Sequence, residues 1–157
     1  MGMYPQVGNL LDAPVDYICH QVNCQGRMRS GIAKQIREKW PEVYESYMHY
    51  FNCYLERGGP KSMLGSCQYI TTANITVINM FAQEHYGYDG KRYTSYDAFW
   101  ACLGGIRDSV PKGSKIGFPW QIGCGLGGAN WEVIMTMIEE VLAEDYEVYI
   151  YMLEEVV

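Results

Sequence analysis

Residues 15–36 read VDYICHQVNCQGRMRSGIAKQI. Val15 to Val22 is a compact apolar run, β-branched and aromatic in character, that reads as a strand entered through Asp12-Ala13-Pro14. Asn23-Cys24-Gln25-Gly26 leaves it. Beyond the glycine, Ile32, Ala33, Ile36 and Trp40 recur at helical spacing until Pro41 interrupts or restarts the helix. A strand that feeds a helix through a short glycine loop is the building unit of an α/β layer fold.

The alternation continues outward. Val43, Tyr44, Tyr47, Met48 and Phe51 carry an apolar helical face up to Arg57-Gly58-Gly59-Pro60. Cys67–Thr71 and Ile75–Phe81 read as two strands around the turn Thr72-Ala73-Asn74. Thr94-Ser95-Tyr96-Asp97 has the form of a capping box, with Asp for the usual Glu, and predicts a helix opening at Thr94 and running to about Asp108. Lys115–Pro119 is a short strand. Glycines 123, 125, 127 and 128 then lead to Asn130, a helix N-cap, followed by Ile134, Met137, Ile138, Val141 and Leu142 on one face. Glu147–Leu153 is the last strand. Several strands are apolar on both faces, which calls for helices on both sides of a central sheet. The expectation is a three-layer α/β/α sandwich forming a single domain over residues 1–157.

Composition narrows the function. The chain has 157 residues, 48% hydrophobic, 14% aromatic and 19% charged, enough apolar surface to fold. Twelve Lys and Arg against 18 Asp and Glu give a net charge of −6, with no basic run to neutralise a phosphate backbone, so nonspecific nucleic-acid binding is disfavoured. No stretch of eighteen apolar residues exists to span a membrane, and no basic-then-apolar leader opens the chain, so the reading is cytoplasmic. The six cysteines lack C-x-x-C spacing and read as free thiols, with no metal site expected. Trp40, Trp100, Trp120 and Trp131 suit helix-to-sheet packing better than an exposed interface, which makes a monomer the default.

Two strand-to-helix loops carry the candidate chemistry: Asn23–Ala33 and Ile122–Asn130. In an open α/β sheet, ligands bind where strands end and helices begin. Glycine lets the backbone approach a ligand, and the following helix N-terminus offers unpaired amides to an anion. Two such loops can grip a diphosphate between them, although glycine at such a turn also serves turn chemistry alone. Neither fits G-x-x-x-x-G-K-[ST]. GCGLGG has the G-x-G-x-x-G spacing but does not follow the first strand, so it comes close without fitting that fingerprint.

Four segments in this order, GNLL at 8–11, HQVNCQGRMRSGIAKQI at 20–36, RYTSYDAF at 92–99 and FPWQIGCGLGGANWEVI at 118–134, resemble the macro domain family. The resemblance runs from Gly8 to Leu153 and is nearest the terminal ADP-ribose protein glycohydrolase branch with its bacterial and phage relatives. It implies a mixed central sheet and a cleft for ADP-ribose or an ADP-ribosylated substrate, with no cofactor. Asn23, Gly26, Arg27, Met28, Arg29, Ser30, Gly31 and Ile32 would wrap the distal ribose and diphosphate. Gly123, Cys124, Gly125, Leu126, Gly127 and Gly128 would close over the diphosphate from the other side. Asn9, with Leu10 beside it, stands where the family usually carries an aspartate that contacts the adenine amino group. Tyr151 matches a position lining the adenosine pocket, or else is a core aromatic.

That branch works through a lysine and an aspartate. Their positions fall at or beside Gln83 and at Gly127, so the pair is missing and a covalent lysine adduct is not supported. Arg29 replaces a usual glycine and either reaches phosphate or points to solvent. The remaining candidates for catalysis are Asn23 and Gln83, which could orient a ribose or a water, and His85, the titratable group of the loop after Gln83. His20, inside the first strand, reads as a core histidine. Cys24 and Cys124 lie in the loops without an identifiable histidine partner. The leading expectation is hydrolysis of an ADP-ribosyl-protein ester or O-acetyl-ADP-ribose by a positioned water. A non-catalytic ADP-ribose reader or sink, and a phosphatase for a phosphorylated ADP-ribose, are the alternatives.

Overall fold

In the computed structural model, which describes residues 1–153, the chain runs β1 (Gly2–Val7), β2 (Tyr17–Asn23), α1 (Gly31–Lys39), α2 (Pro41–Glu56), β3 (Cys67–Thr71), β4 (Thr76–Gln83), α3 (Tyr96–Ser109), β5 (Lys115–Pro119), α4 (Trp131–Leu142) and β6 (Glu147–Met152). Short 3-10 turns occupy Leu10–Asp12 and Pro60–Met63. The strands form one sheet of order β1-β6-β5-β2-β4-β3, parallel throughout except for β3, which pairs antiparallel with β4. The expected mixed sheet and sandwich are therefore present, and the last four residues of the expected 1–157 domain lie outside those described.

Strand alternation assigns the two faces. On β2 and β4, Cys19, Ile78, Met80 and Ala82 join Phe99, Leu103 and Ile106 of α3 and Ile134 and Ile138 of α4 in one buried cluster. Ile18, Val22, Val77 and Phe81 point the other way, into a second cluster with Ile36 of α1 and Val43 and Tyr47 of α2. Pro41 begins α2 rather than kinking a longer helix, since the first helical turn needs no amide donor there.

Three expectations change. The residue pattern did not indicate β1, an edge strand paired only with β6; its residues are mostly exposed and it contains Pro5, which an edge tolerates. The helix α3 is capped by Ser95, whose hydroxyl accepts from the Ala98 amide at 3.1 Å, and not by Thr94. Of the tryptophans, Trp40 is buried, Trp120 and Trp131 are half-buried, and Trp100 stands 45% exposed on α3, so it does not serve helix-to-sheet packing as expected.

The strand order creates the site. The adjacent parallel strands β2 and β5 send their chains to opposite faces: β2 into α1 and α2 over one cluster, β5 into α4 over the other. Connections that diverge in this way open a crevice at the C-terminal ends of the two strands. Both glycine loops sit there.

Candidate functional site

Two hollows flank the crevice. One, of about 310 Å³, is floored by Gln21, Asn23 and Gln83 at the ends of β2 and β4 and walled by Arg27, Arg29, Ser30, Tyr86, Tyr88 and Leu126. The other, of about 610 Å³, is lined by Gly8, Asn9, Leu10, Gly31, Ile32, Trp120 and Tyr151, among others. Ser30–Ile32 contributes to both, so the first glycine loop forms the partition between the hollows. A larger groove of about 760 Å³ lies between α2 and β3 and contains none of the residues singled out from the sequence.

The first loop is built around Asn23. Its Oδ1 accepts from the Gln25 amide at 3.0 Å and the Tyr47 hydroxyl at 2.8 Å, and its Nδ2 donates to the Arg27 carbonyl at 2.9 Å. Tyr47 lies within hydrogen-bond distance of the Asn23 carbonyl as well, and accepts from the Arg27 amide at 3.1 Å. Burial pushes the Tyr47 phenol well up, which keeps its proton in place. Gly26 packs under Phe51 and Met48. Met28 is buried in the α1/α2 cluster and anchors the loop from within, rather than facing either hollow. Ser30 occupies the N-cap of α1 without capping it; its hydroxyl instead meets the Tyr88 hydroxyl at 2.8 Å across the mouth of the smaller hollow. Arg29 lines that hollow.

The second loop, between β5 and α4, is closed internally by the Ala129 amide on the Gly123 carbonyl at 2.9 Å. Asn130 caps α4 as expected, accepting from the Val133 amide at 3.2 Å. Gly127 has no room for a side chain, and Gly123, at φ +75°, sits where glycine is favoured and is crowded by the end of Gln21. A Cβ at 127 would stand 2.5 Å from the Gly123 carbonyl oxygen and from Thr94 Oγ1; at 123 it would stand 2.8 Å from Gln21 Oε1. A Cβ at Gly128 would stand 2.9 Å from the Lys91 carbonyl oxygen. A Cβ at Gly125, by contrast, would meet nothing within 4 Å. Leu126 is half exposed at the tip.

At the larger of the two crevice hollows, beside β6, Asn9 Oδ1 accepts from the Leu11 amide at 3.0 Å and so fixes the 3-10 turn that buries Leu10. Tyr151 packs beside Gly8 at the end of β6.

The catalytic candidates separate. Gln83 reaches the smaller hollow, with its Oε1 accepting from Gln21 Nε2 at 2.7 Å and its Nε2 donating to the His85 carbonyl at 2.8 Å. His85 faces a different surface hollow with Arg92, beside Glu84 at 3.4 Å, and does not join Asn23 and Gln83. Burial pushes the Cys24 thiol up to about 12 and the Cys124 thiol up to about 11, so neither is a thiolate near neutrality. His20 is buried, its Nε2 proton directed at Asn79 Oδ1 and its Nδ1 without a partner among the described residues. Burial lowers its pKa to about 4, and it stays neutral within the sheet.

Sequence reasoning missed Gln21, Tyr47, Tyr88 and Thr94 as site residues. Gln21 had one signal, a polar residue beside His20 in a largely apolar strand, two positions before the loop. Tyr47 reads as an ordinary core aromatic.

No family model matches the chain. A curated relative, the DNA ADP-ribosyl glycohydrolase of Thermus aquaticus, is 26% identical over 155 residues, covering 92% of this chain and 39% of its own length. The chain thus spans about two fifths of that relative. The macrodomain of Thermus aquaticus DarG superposes with a TM-score of 0.75 at 24% identity over 96% of this chain and 97% of its own. Thermosipho africanus DarTG, whose structure is a complex with ADP-ribose, superposes with a TM-score of 0.76 at 18% identity, over the whole of this chain and 43% of its own. With this sheet, this crevice and these likenesses, the chain has the macrodomain fold.

Proposed function

We propose that the chain binds ADP-ribose across the β2/β5 crevice and hydrolyses an ADP-ribosyl adduct there. The observation that carries this reading is the pair of hollows parted by the first glycine loop. A dinucleotide-like ligand with two ribosyl ends and a diphosphate between them needs that arrangement. The adenosine end fits the hollow of Asn9, Ile32 and Tyr151, and the distal ribose fits the hollow of Asn23 and Gln83. The uncapped N-terminus of α1 and the second loop then face the diphosphate, where aligned amides and the helix dipole favour negative charge. Recognition by backbone amides, with Arg27 and Arg29 beside it, accommodates an anion on a protein of net charge −6.

Chemistry at the distal ribose falls to a water held in attack geometry, because the lining of that hollow holds neither lysine nor carboxylate. Asn23 contributes by holding the loop that orients the ribose. A specific observation favours the reader alternative: both ends of the Gln83 amide are engaged, and position 127 has no room for a carboxylate.

Turnover separates the two. The protein is incubated with O-acetyl-ADP-ribose, with an ester-linked ADP-ribosylated protein and, because the curated relative is a DNA ADP-ribosyl glycohydrolase, with ADP-ribosylated DNA. The products are separated by chromatography. Release of ADP-ribose from any of the three supports the enzyme. Tight ADP-ribose binding with no release from any of them makes the chain a reader or sink.

A further inference from the structure

Thr94 is freed from capping α3 because Ser95 takes that role, and its hydroxyl is nonetheless almost wholly buried. We propose that Gln21 and Thr94 are positioning residues that hold the second glycine loop over the crevice. The loop takes three hydrogen bonds from the chain that precedes α3. The Tyr93 and Thr94 amides donate to the Gly127 carbonyl at 2.8 and 3.0 Å, and Thr94 Oγ1 donates to the Gly123 carbonyl at 2.8 Å.

Gln21 sets the direction of that last bond. Its Nε2 donates one proton to Thr94 Oγ1 at 2.8 Å and the other to Gln83 Oε1 at 2.7 Å. A hydroxyl has one proton to give. With Gln21 filling a lone pair, the Thr94 proton is directed at Gly123. The result is a one-way chain, Gln21 amide to Thr94 hydroxyl to loop carbonyl, in which each bond polarises the next. The strut and the glycines match each other sterically, since the Cβ positions at 123 and 127 would collide with Gln21 Oε1 and Thr94 Oγ1. Gln21 Oε1 is itself buried without a protein partner among the described residues, a cost that a purely structural glutamine would avoid by becoming an apolar residue.

The effect on ligand affinity rests on the ADP-ribose reading; the effect on the loop does not. Thr94→Val keeps the shape and removes the hydroxyl, and Thr94→Ser restores it. The account expects Thr94→Val to weaken ADP-ribose about tenfold, the size of one hydrogen bond, with adenosine affinity unchanged and with Thr94→Ser close to wild type. Amide exchange at 127–129 should rise in Thr94→Val and return in Thr94→Ser. If Thr94→Val fails to fold, Gln21→Leu removes the same chain from its other end. Wild-type ADP-ribose affinity together with wild-type exchange in the variant overturns the strut while leaving the binding reading intact. If the wild-type protein does not bind ADP-ribose, the binding reading fails, and exchange at the loop amides alone decides the strut: faster exchange in Thr94→Val supports it, unchanged exchange overturns it.

Discussion

The first glycine loop is held from within and the second from outside. Asn23 belongs to the first loop and gathers its own backbone, with Tyr47 of α2 closing the network from below. The second loop, Gly123 to Gly128, uses little of its own side chains for this, only the Cys124 thiol on the Ile122 carbonyl at 3.4 Å. Its anchor is the segment ahead of α3, which meets the backbone of glycines too close to carry a Cβ. The first loop adds one distant brace, Tyr47, 24 residues from Asn23, to its own asparagine. The second rests mainly on Thr94, 29 residues from Gly123. The same crevice is thus lined by two walls that fail in different ways.

Substitution sharpens that contrast, and the largest effect is expected at Gly125. Its Cβ direction is open, so Gly125→Glu should fold normally while placing a carboxylate in the diphosphate site; affinity for ADP-ribose should fall by about 4 kcal/mol or more, to beyond calorimetric detection. Wild-type affinity in a folded Gly125→Glu protein would remove the second loop from the site. Two residues on, Gly127→Ala meets the Gly123 carbonyl and Thr94 Oγ1 and should cost about 3 kcal/mol of stability by overpacking, read as a lowered urea midpoint. Equal midpoints for the two glycine variants would erase the distinction between open and braced positions.

At the other wall, Tyr47→Phe strips a buried hydroxyl from Asn23 and the Arg27 amide. It should lower stability by about 2 kcal/mol and speed amide exchange at 25–27 without affecting 123–129. Exchange rising in both loops together would show that the walls are not independent. The smallest effect is expected from Asn9→Ala, about 1–2 kcal/mol in ADP-ribose affinity, with a ribose phosphate lacking adenine unaffected. Equal losses for both ligands would place Asn9 outside adenine recognition.

Much of this architecture is legible in the sequence because it follows from local patterning. The β2 run, the break at Pro41, the antiparallel pair around Thr72–Asn74 and the Asn130 cap each declare themselves within a few residues. The edge strand β1 does not, since exposed residues and Pro5 suppress the strand signal and only pairing with β6 makes it one. The glycine loops are visible for the same local reason, and the resemblance to macro domains lies in their motifs. What binds the loops is not visible. Tyr47 lies 24 residues from Asn23, and Gln21 lies 73 from Thr94, so both pairs are set by tertiary packing and not by local pattern. Thr94 shows the limit most clearly: T-S-Y-D matches a capping box with Thr94 as the cap, whereas in the fold the Thr94 hydroxyl is bound to the Gly123 carbonyl and Ser95, with Ala98 three residues on, caps the helix. His85 was singled out for its chemistry, and the fold turned it to another surface.

The central claim, that the two hollows accept the two ends of one ligand, is tested most directly by isothermal titration of the wild-type protein with ADP-ribose, with AMP and NAD as comparators. The account predicts one site per chain and tighter binding of ADP-ribose than of either comparator, because only ADP-ribose fills both hollows with a free distal ribose. Binding of AMP as tight as that of ADP-ribose, or no binding of ADP-ribose at all, would contradict it.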